Sequence, residues 1–281
     1  HAALIEELER RHPHTAAVVA DVARGHADIG FFHADRGDFA AAEQEYRRAA
    51  AFYARLPEQD RTAQSTSGHA FALKRLGAVL MRRQAYAESE QQYVEALALD
   101  EAVIRSDDRP QTRFDITFTL SDLALVRSFM NRWADAEVLW QRALAIREAA
   151  WAADPKDARA LNGVGVLYGR LAIAARARGD LPAAARAYRT EVDRRASLVA
   201  LTGRLPGRVA DLSWARLRLA ETLLDLAAAT PRAADSAGQR AVARRLVAAT
   251  SRDDGTPSVP AGSEPGFLAL YDALGRRLAA R

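Results

Sequence analysis

Cysteine is absent from this 281-residue chain, which excludes disulfides and thiol chemistry. Lysine occurs only at Lys74 and Lys156, so arginine supplies nearly all of the 40 basic side chains. Proline (10 residues) and glycine (16 residues) are sparse, and β-branched residues nowhere alternate with polar ones over the length of a strand. No apolar stretch reaches the roughly 20 residues that a membrane-spanning helix needs. These absences argue against a β-sheet protein and against a membrane span in this chain.

The residues that are present favour a helical globular protein. Hydrophobic residues make up 49% of the chain and charged residues 27%, a balance typical of folded rather than disordered proteins. Alanine runs at 40–42 and 183–185 favour helix, because alanine loses no side-chain entropy there. The 36 acidic residues are mixed among the basic ones and leave a net charge of +4, which is not a polybasic footprint for nucleic acid. We predict an all-α protein that does not bind nucleic acid.

A pattern of helical residues repeats along the chain. A large residue followed by a small one recurs with intervals of 47, 47, 48 and 48 residues between the small members: Ile29-Gly30, Leu76-Gly77, Leu123-Ala124, Leu171-Ala172 and Leu219-Ala220. Downstream of the first four, an aromatic residue follows at Tyr46, Tyr93, Trp140 and Tyr188. An alanine follows three residues later at Ala49, Ala96 and Ala143. Intervals this regular indicate a repeat protein.

These motifs resemble the tetratricopeptide-repeat (TPR) family over residues 14–250. The resemblance implies an all-α, right-handed superhelical stack, or α-solenoid, of antiparallel helix pairs. Glycine or alanine at each crossing would let two helices approach, and the aromatic residue would fill the space beside it. The pattern departs from the family in the fourth pair, where Glu191 stands in place of the alanine, and in the fifth, whose second helix is degenerate.

The repeat length predicts long helices. A standard TPR unit has about 34 residues, so these units are longer by roughly 13. The additional residues are strongly helical, as in 143–148, and we expect both helices of a pair to extend to about 20 residues, or about 30 Å. Prolines mark the joints between helices, because proline ends one helix and suits the first turn of the next. They are Pro13, Pro57, Pro110, Pro155 and Pro206.

The sequence divides into four segments. Residues 1–13 are predicted to end a preceding repeat helix, so that the array would begin upstream, and residues 14–250 to form about five helix pairs. Residues 251–266 have the composition of a flexible linker. Residues 267–281 form a last helix with an apolar stripe, which we expect to dock on the array as a cap or in its groove. The stripe consists of Phe267, Leu270, Tyr271, Leu274 and Leu278.

No catalytic, cofactor or metal site emerges from the sequence. The histidines His26 and His33 lie seven residues apart on one helix face, but no third ligand is placed with them. Gly163, Gly165 and Gly169 lie inside a helical stretch with no preceding strand, which favours close helix packing over a phosphate loop. An enzyme or metal site on the repeats is the alternative, and it depends on the histidines alone. RNA binding would need a recurring set of base-reading polar residues, which is not found.

The TPR resemblance implies a groove lined by the first helix of each pair and a protein or peptide partner. In this register the groove is largely apolar with isolated charges, and it lacks the lysine–asparagine combination that clamps a terminal carboxylate. The predicted partner-contact residues are Phe31, Lys74, Met81, Leu125 and Arg176. The competing interpretation is that several of them pack between adjacent first helices.

The long units also resemble the repeats that follow the catalytic domain in bacterial serine/threonine protein kinases. That resemblance implies a regulatory or sensing region of a larger protein, with no kinase residues in this chain. The location would be cytoplasmic, or periplasmic if a membrane span precedes the repeats. The identity of the partner and the oligomeric state stay open.

Overall fold

The computed structural model describes residues 7, 16–230, 232–250 and 265–280. Apart from residue 7, the expected helix end in 1–13 lies outside these residues, as does most of the expected linker. Within them every regular element is a helix and there is no strand, which confirms the all-α prediction. The helices are α1 (Ala16–Asp35), α2 (Phe39–Ala54), α3 (Ala63–Arg82), α4 (Tyr86–Ser106), α5 (Pro110–Phe129), α6 (Trp133–Ala153), α7 (Ala158–Ala177), α8 (Leu181–Thr202), α9 (Pro206–Ala229), α10 (Ala233–Ala248) and α11 (Pro265–Ala279).

The helices form antiparallel pairs, α1/α2, α3/α4, α7/α8 and α9/α10, and α11 follows as a single helix. Between α5 and α6, Trp140 Nε1 donates to the carbonyl of Ser121 at 3.3 Å. Most have 20 to 24 residues, as the repeat length predicted, while α2 and α10 have 16. Contacts divide the chain into two compact units, residues 1–143 and 144–281, with the boundary inside α6. We refer to them as the N-terminal unit and the C-terminal unit.

One turn geometry closes the first four pairs. A residue with a left-handed backbone follows the first helix at intervals of 47, 47 and 48 residues, with φ near 60° or 80°: Gly37, Gln84, Asn131 and Gly179. The next residue donates its amide to a carbonyl five residues back, as from Asp38 to His33 at 2.9 Å. In the first and fourth pairs this residue is an aspartate whose carboxylate caps the second helix. The direction in which the second helix starts is therefore set by a cap at the C-terminus of the first helix, and this cap recurs in four pairs.

The predicted close crossings are confirmed in the N-terminal unit. A β-carbon added to Gly30 would lie 2.9 Å from the ring of Tyr46, and one added to Gly77 would lie 2.7 Å from the ring of Tyr93. Both rings are fully buried. The small residue of the first helix thus provides the space that the aromatic ring of the second helix fills.

Buried tyrosines make the fold sensitive to alkali. Burial raises the pKa of Tyr188 to about 12 and that of Tyr93 well above its usual value. An unfolded phenol ionises near pH 10, so the stability that depends on neutral phenols is fully present below pH 10 and is lost as the pH rises through about 12.

We therefore expect Tyr188→Phe to raise the pH midpoint of alkaline unfolding by roughly half a unit, followed as loss of helical circular dichroism. Tyr86→Phe, at a partly exposed ring, is the control and should not shift it. Equal midpoints for wild type, Tyr93→Phe and Tyr188→Phe would contradict this explanation.

Two glutamates, Glu43 (buried) and Glu90 (partly buried), join successive pairs of the N-terminal unit. The carboxylate of Glu43 on α2 accepts hydrogen bonds from Arg47 and from Arg83, which follows α3. Forty-seven residues later, Glu90 on α4 accepts from Arg127 Nε at 2.8 Å and from Arg132 Nη1 at 2.7 Å. The same register position therefore connects a second helix to the end of a first helix twice.

In the C-terminal unit, one contact between paired helices is made by a buried charged side chain. Glu191 is 1% exposed, although the sequence pattern expects alanine there. A β-carbon on Gly169 would lie 2.8 Å from its carboxylate, so the glycine provides the space that the larger side chain occupies. Glu191 accepts from Arg195 Nε at 2.7 Å, and Arg195 also pairs with Asp211 of α9 at 3.1 Å. Gly163 makes a similar contact with the buried guanidinium of Arg147. Gly163 and Gly169 therefore serve the close helix packing that their position inside a helical stretch predicted.

Helix α11 begins two residues before the predicted start and packs on α9 and α10. Phe267 and Leu274 are buried, and the ring of Phe267 meets that of Trp214 edge-on at 5.2 Å. Near the other end, Arg277 Nη2 donates to Asp225 of α9 at 2.9 Å. The two contacts show that α11 runs parallel to α9, which is the orientation of successive first helices.

Candidate functional site

The candidate site is a groove on the first helices of the N-terminal unit. A depression of about 460 Å³ lies between α1 and α3, and one of about 850 Å³ lies between α3 and α5. Gln64 and Phe71 of α3 line both, so the two depressions adjoin. They form one groove across three helices, which we call the first-helix groove.

The groove lining repeats with the sequence. Three positions of each first helix, 47 residues apart from helix to helix, face it. These positions are Asp21, Gly68 and Asp115, then Arg24, Phe71 and Phe118, then Asp28, Arg75 and Asp122. Within each helix, the three residues are separated by three, four or seven positions and therefore lie on one face. The same face is used in all three helices.

Aromatic rings in and beside the groove are open to solvent. Phe71 is 41% exposed and Phe118 is 43% exposed. Phe31 of α1 is 53% exposed, and the guanidinium of Arg75 lies 5.8 Å from its ring centroid and 4.8 Å from that of Phe71. Exposed rings of this size, at recurring positions, are typical of binding surfaces.

The groove is acidic although the chain is basic. Among the residues that the structure describes, seven carboxylates line it, against four cationic side chains, for a balance of −3. The carboxylates are those of Asp21, Asp28, Asp60, Asp100, Asp107, Asp115 and Asp122. Three of the four cations already pair with carboxylates of the same groove: Lys74 Nζ with Asp100 at 3.2 Å, Arg109 Nε with Asp107 at 2.7 Å, and Arg24 with Asp21. The groove thus carries negative charge in excess.

The five predicted contact residues are all at least partly exposed. Lys74 lines the larger depression, and Phe31 lies beneath Arg75. Met81 and Leu125 are partly buried on α3 and α5. Arg176, in the C-terminal unit, donates from Nη1 to Thr222 at 2.7 Å and from Nη2 to Asp225 at 2.8 Å, and so joins α7 to α9.

Sequence reasoning did not single out Phe71, Phe118, Asp115 and Asp122. The signal was available, since phenylalanine recurs at an interval of 47 residues, at a position that the large-small motif leaves unassigned. Periodicity alone does not distinguish an exposed ring from a core ring, and that distinction required the packing of the neighbouring helices.

Two of the described histidines, His26 and His69, have structural surroundings. His26 stacks on Phe52 with 5.4 Å between ring centroids, and its Nδ1 lies 2.7 Å from a carboxylate oxygen of Glu45. His69 stacks on Tyr53, and burial lowers its pKa. Over the described part of the chain, no group of three or more side chains is placed to hold a metal ion. In the same described residues, every helix is either too short or too polar to cross a membrane.

The helix pairs, their glycine–aromatic crossings and the groove on the first helices define the fold of TPR-like repeat proteins. BtubC (BKLC) from P. vanneervenii shares this fold, with 18% sequence identity, a TM-score of 0.60 and coverage of 92% of each chain. So does a Podosopora anserina putative kinesin light chain with nearly identical TPR-like repeats, with 14% identity, a TM-score of 0.57 and coverage of 94% of this chain and 99% of that one. No protein-family model and no curated protein matches the sequence. The likeness therefore concerns the fold.

Proposed function

We propose that this chain is a non-catalytic protein-interaction scaffold that binds an extended protein or peptide segment in its first-helix groove. The observation that carries the proposal is the groove itself, which adjoins three first helices and exposes Phe71 and Phe118 at equivalent positions. Helices pack 8–10 Å apart, so crossing three of them takes about 20 Å, or roughly six to eight extended residues. Exposed rings would anchor that segment by burying apolar area.

Selection of displayed random dodecapeptides on the full chain tests the proposal. We expect enriched peptides to bind in fluorescence anisotropy and Phe71→Ala or Phe118→Ala to weaken that binding roughly tenfold or more, because central aromatic anchors dominate such interfaces. Val138→Ala is the matched control, since this exposed apolar residue lies on a second helix and does not line the groove. If no peptide is enriched, or if both phenylalanine variants bind unchanged, the groove is not the binding site.

The five residues predicted from the sequence enter this proposal with two different roles. Phe31 and Lys74 would contact the bound segment, since they lie at the groove. Met81 and Leu125 would extend the contact surface along α3 and α5. Arg176 would hold α7 against α9 through the hydrogen bonds that it makes, so its substitution should affect stability more than binding.

Self-docking of the last helix is the second part of the proposal. Helix α11 covers apolar residues of α9 and α10, including Leu217, Leu224 and Val247. Repeat arrays need their terminal apolar face covered, and a helix that packs parallel to α9 covers it as the next first helix would. We therefore assign α11 the role of a cap.

We further propose that the chain is the regulatory region of a larger protein such as a bacterial serine/threonine kinase. The support is the long repeat unit described above. Reading the gene upstream of His1 tests this directly. A kinase domain there is the expected result, and an unrelated domain in its place would show the proposal to be wrong.

A further inference from the structure

The two compact units carry net charges of opposite sign. Residues 1–143 contain 18 basic and 22 acidic side chains, which leaves −4, whereas residues 144–281 contain 22 basic and 14 acidic side chains, which leaves +8. The net charge of the whole chain, +4, does not reveal this division. The C-terminal unit can therefore attract an acidic partner, although the first-helix groove of the N-terminal unit is itself acidic.

Helix α10 presents part of this positive charge on its solvent-exposed face. Asp235 is the only acidic residue of the helix, and it lies in the first turn. Beyond it, the exposed residues of α10 are alanine, glycine and arginine only, and the arginines are Arg240, Arg244 and Arg245. Because alanine and glycine are short, the three arginines are the side chains that extend furthest from this face.

The three guanidinium groups are not paired with carboxylates of the described part of the chain. The hydrogen bond found for them there runs from Arg244 Nη2 to the carbonyl of Leu278 on α11, at 3.4 Å. On α2, by contrast, an exposed arginine does find such a partner, as Arg48 Nη1 pairs with Glu45 at 2.8 Å. A guanidinium has five N–H donors, so those of α10 retain most of their capacity to donate.

This arrangement is unfavourable for the helix by itself. Arg240 and Arg244 are four residues apart, and like charges at that separation repel. The helix dipole favours cations in the last turn and so accounts for Arg245, but the effect fades within that turn, and Arg240 lies one turn earlier. Carboxylates supplied from outside the chain would relieve the repulsion.

The spacing and the small residues of this face suit a helix as the ligand. Arg240 and Arg244 are separated by about 6 Å along the axis of α10, which is also the separation of two carboxylates four residues apart on a helix lying alongside. The short side chains of Ala237 and Ala241 would let such a helix approach closely. Among its exposed residues, α10 has no large apolar or aromatic side chain, which binding to a membrane surface or to single-stranded nucleic acid would require.

We infer that the exposed face of α10 binds an acidic helical segment of a partner protein, whose carboxylates pair with Arg240, Arg244 and Arg245. This surface belongs to the C-terminal unit, and its assignment does not depend on peptide binding in the first-helix groove.

A fluorescein-labelled, alanine-based helical peptide with glutamate pairs four residues apart provides the probe. Fluorescence anisotropy at low ionic strength measures its binding to the full chain. We expect the peptide to bind and its glutamine counterpart not to bind. We also expect the Arg240→Gln/Arg244→Gln double variant to bind the acidic peptide about tenfold more weakly, since two exposed ion pairs are lost.

Arg186→Gln/Arg189→Gln is the matched control. It removes the same charge from two exposed arginines of another second helix, α8, and should bind the acidic peptide nearly as wild type does. Circular dichroism melts verify that both double variants are folded. Equal weakening by the two double variants would show that binding reflects overall charge and would overturn the assignment to α10.

Other results would also overturn the inference. They are a lack of binding by the acidic peptide, unchanged binding in the α10 double variant, and tighter binding of duplex DNA or phosphatidylserine vesicles through the same arginines. Self-association of the chain that the α10 double variant abolishes would make the occupant a second copy instead of another protein. Phe71→Ala should leave binding of the acidic peptide unchanged, so failure of this inference and failure of the proposed function are distinguishable.

Discussion

Replacing Gly77 with leucine is expected to destabilise the protein by about 3 kcal/mol or more, because over-packing a helix crossing forces the helices apart. An added β-carbon alone would lie 2.7 Å from the ring of Tyr93, which is fully buried, and the longer leucine side chain would displace that ring further. The gain in helix propensity from removing a glycine is only about 1 kcal/mol and does not offset this cost. Urea unfolding followed by circular dichroism measures the difference.

Gly275→Leu is the control for this substitution. Gly275 is also helical, but a β-carbon there would meet no atom within 4 Å. That variant should be neutral or slightly stabilised. Equal destabilisation by the two substitutions would show that the crossing of α3 and α4 is not as tight as the structure places it.

Replacing Phe267 with alanine is expected to cost about 3 kcal/mol of the docking free energy of α11, since the ring is 2% exposed and its removal leaves a cavity against Trp214. The adjacent residue Leu268 is 46% exposed, so Leu268→Ala should cost less than about 0.5 kcal/mol. Hydrogen exchange of the α11 amides reports undocking directly. Protection should fall in Phe267→Ala and persist in Leu268→Ala.

Deletion of α11 extends the same test. Without the helix, the apolar residues of α9 and α10 that it covers would contact water, and the melting temperature should fall by several degrees. An identical melting temperature after deletion, together with equal exchange in the two alanine variants, would show that α11 does not cap the array and serves another molecule.

The repeat could be predicted from the sequence because its signal is local and periodic. Gly30, Gly77 and their partners Tyr46 and Tyr93 recur at one interval, and their packing follows from the sizes of the side chains. The all-α fold, the pairing of the helices and their length follow from the same pattern. The start of α11 was misplaced by two residues, because Pro265 suits the first turn of a helix as well as a linker.

The charged contacts could not be predicted in the same way. Glu191 interrupts the alanine pattern, and only the structure shows that Gly169 makes room for it and that Arg195 pairs with it. Likewise, Glu43 and Glu90 look like surface residues of a mixed-charge helix. The burial of Glu43 and the arginine partners of both glutamates depend on the distance between consecutive pairs, which sequence periodicity does not specify.

The candidate site could be predicted from the sequence only in part. Lys74 and Phe31 were located by register alone, and both lie at the groove. The acidic balance of the groove was missed, because two of its three excess negative charges arise outside the first helices. One comes from Asp100 on a second helix, and the other is the net charge of Asp60, Asp107 and Arg109 in the connections between pairs. Only the folded structure shows which residues outside the first helices line the groove.

The turn shared by the first four pairs has a consequence for how such a protein can change. Because Gly37, Gln84, Asn131 and Gly179 share one backbone path, each of the four second helices that follow them starts in a direction set by a few adjoining residues. A pair is consequently a transferable module. It could be duplicated, removed or exchanged by recombination with its internal alignment intact, provided that the apolar side chains and the glutamate–arginine contacts at its two faces match the modules beside it.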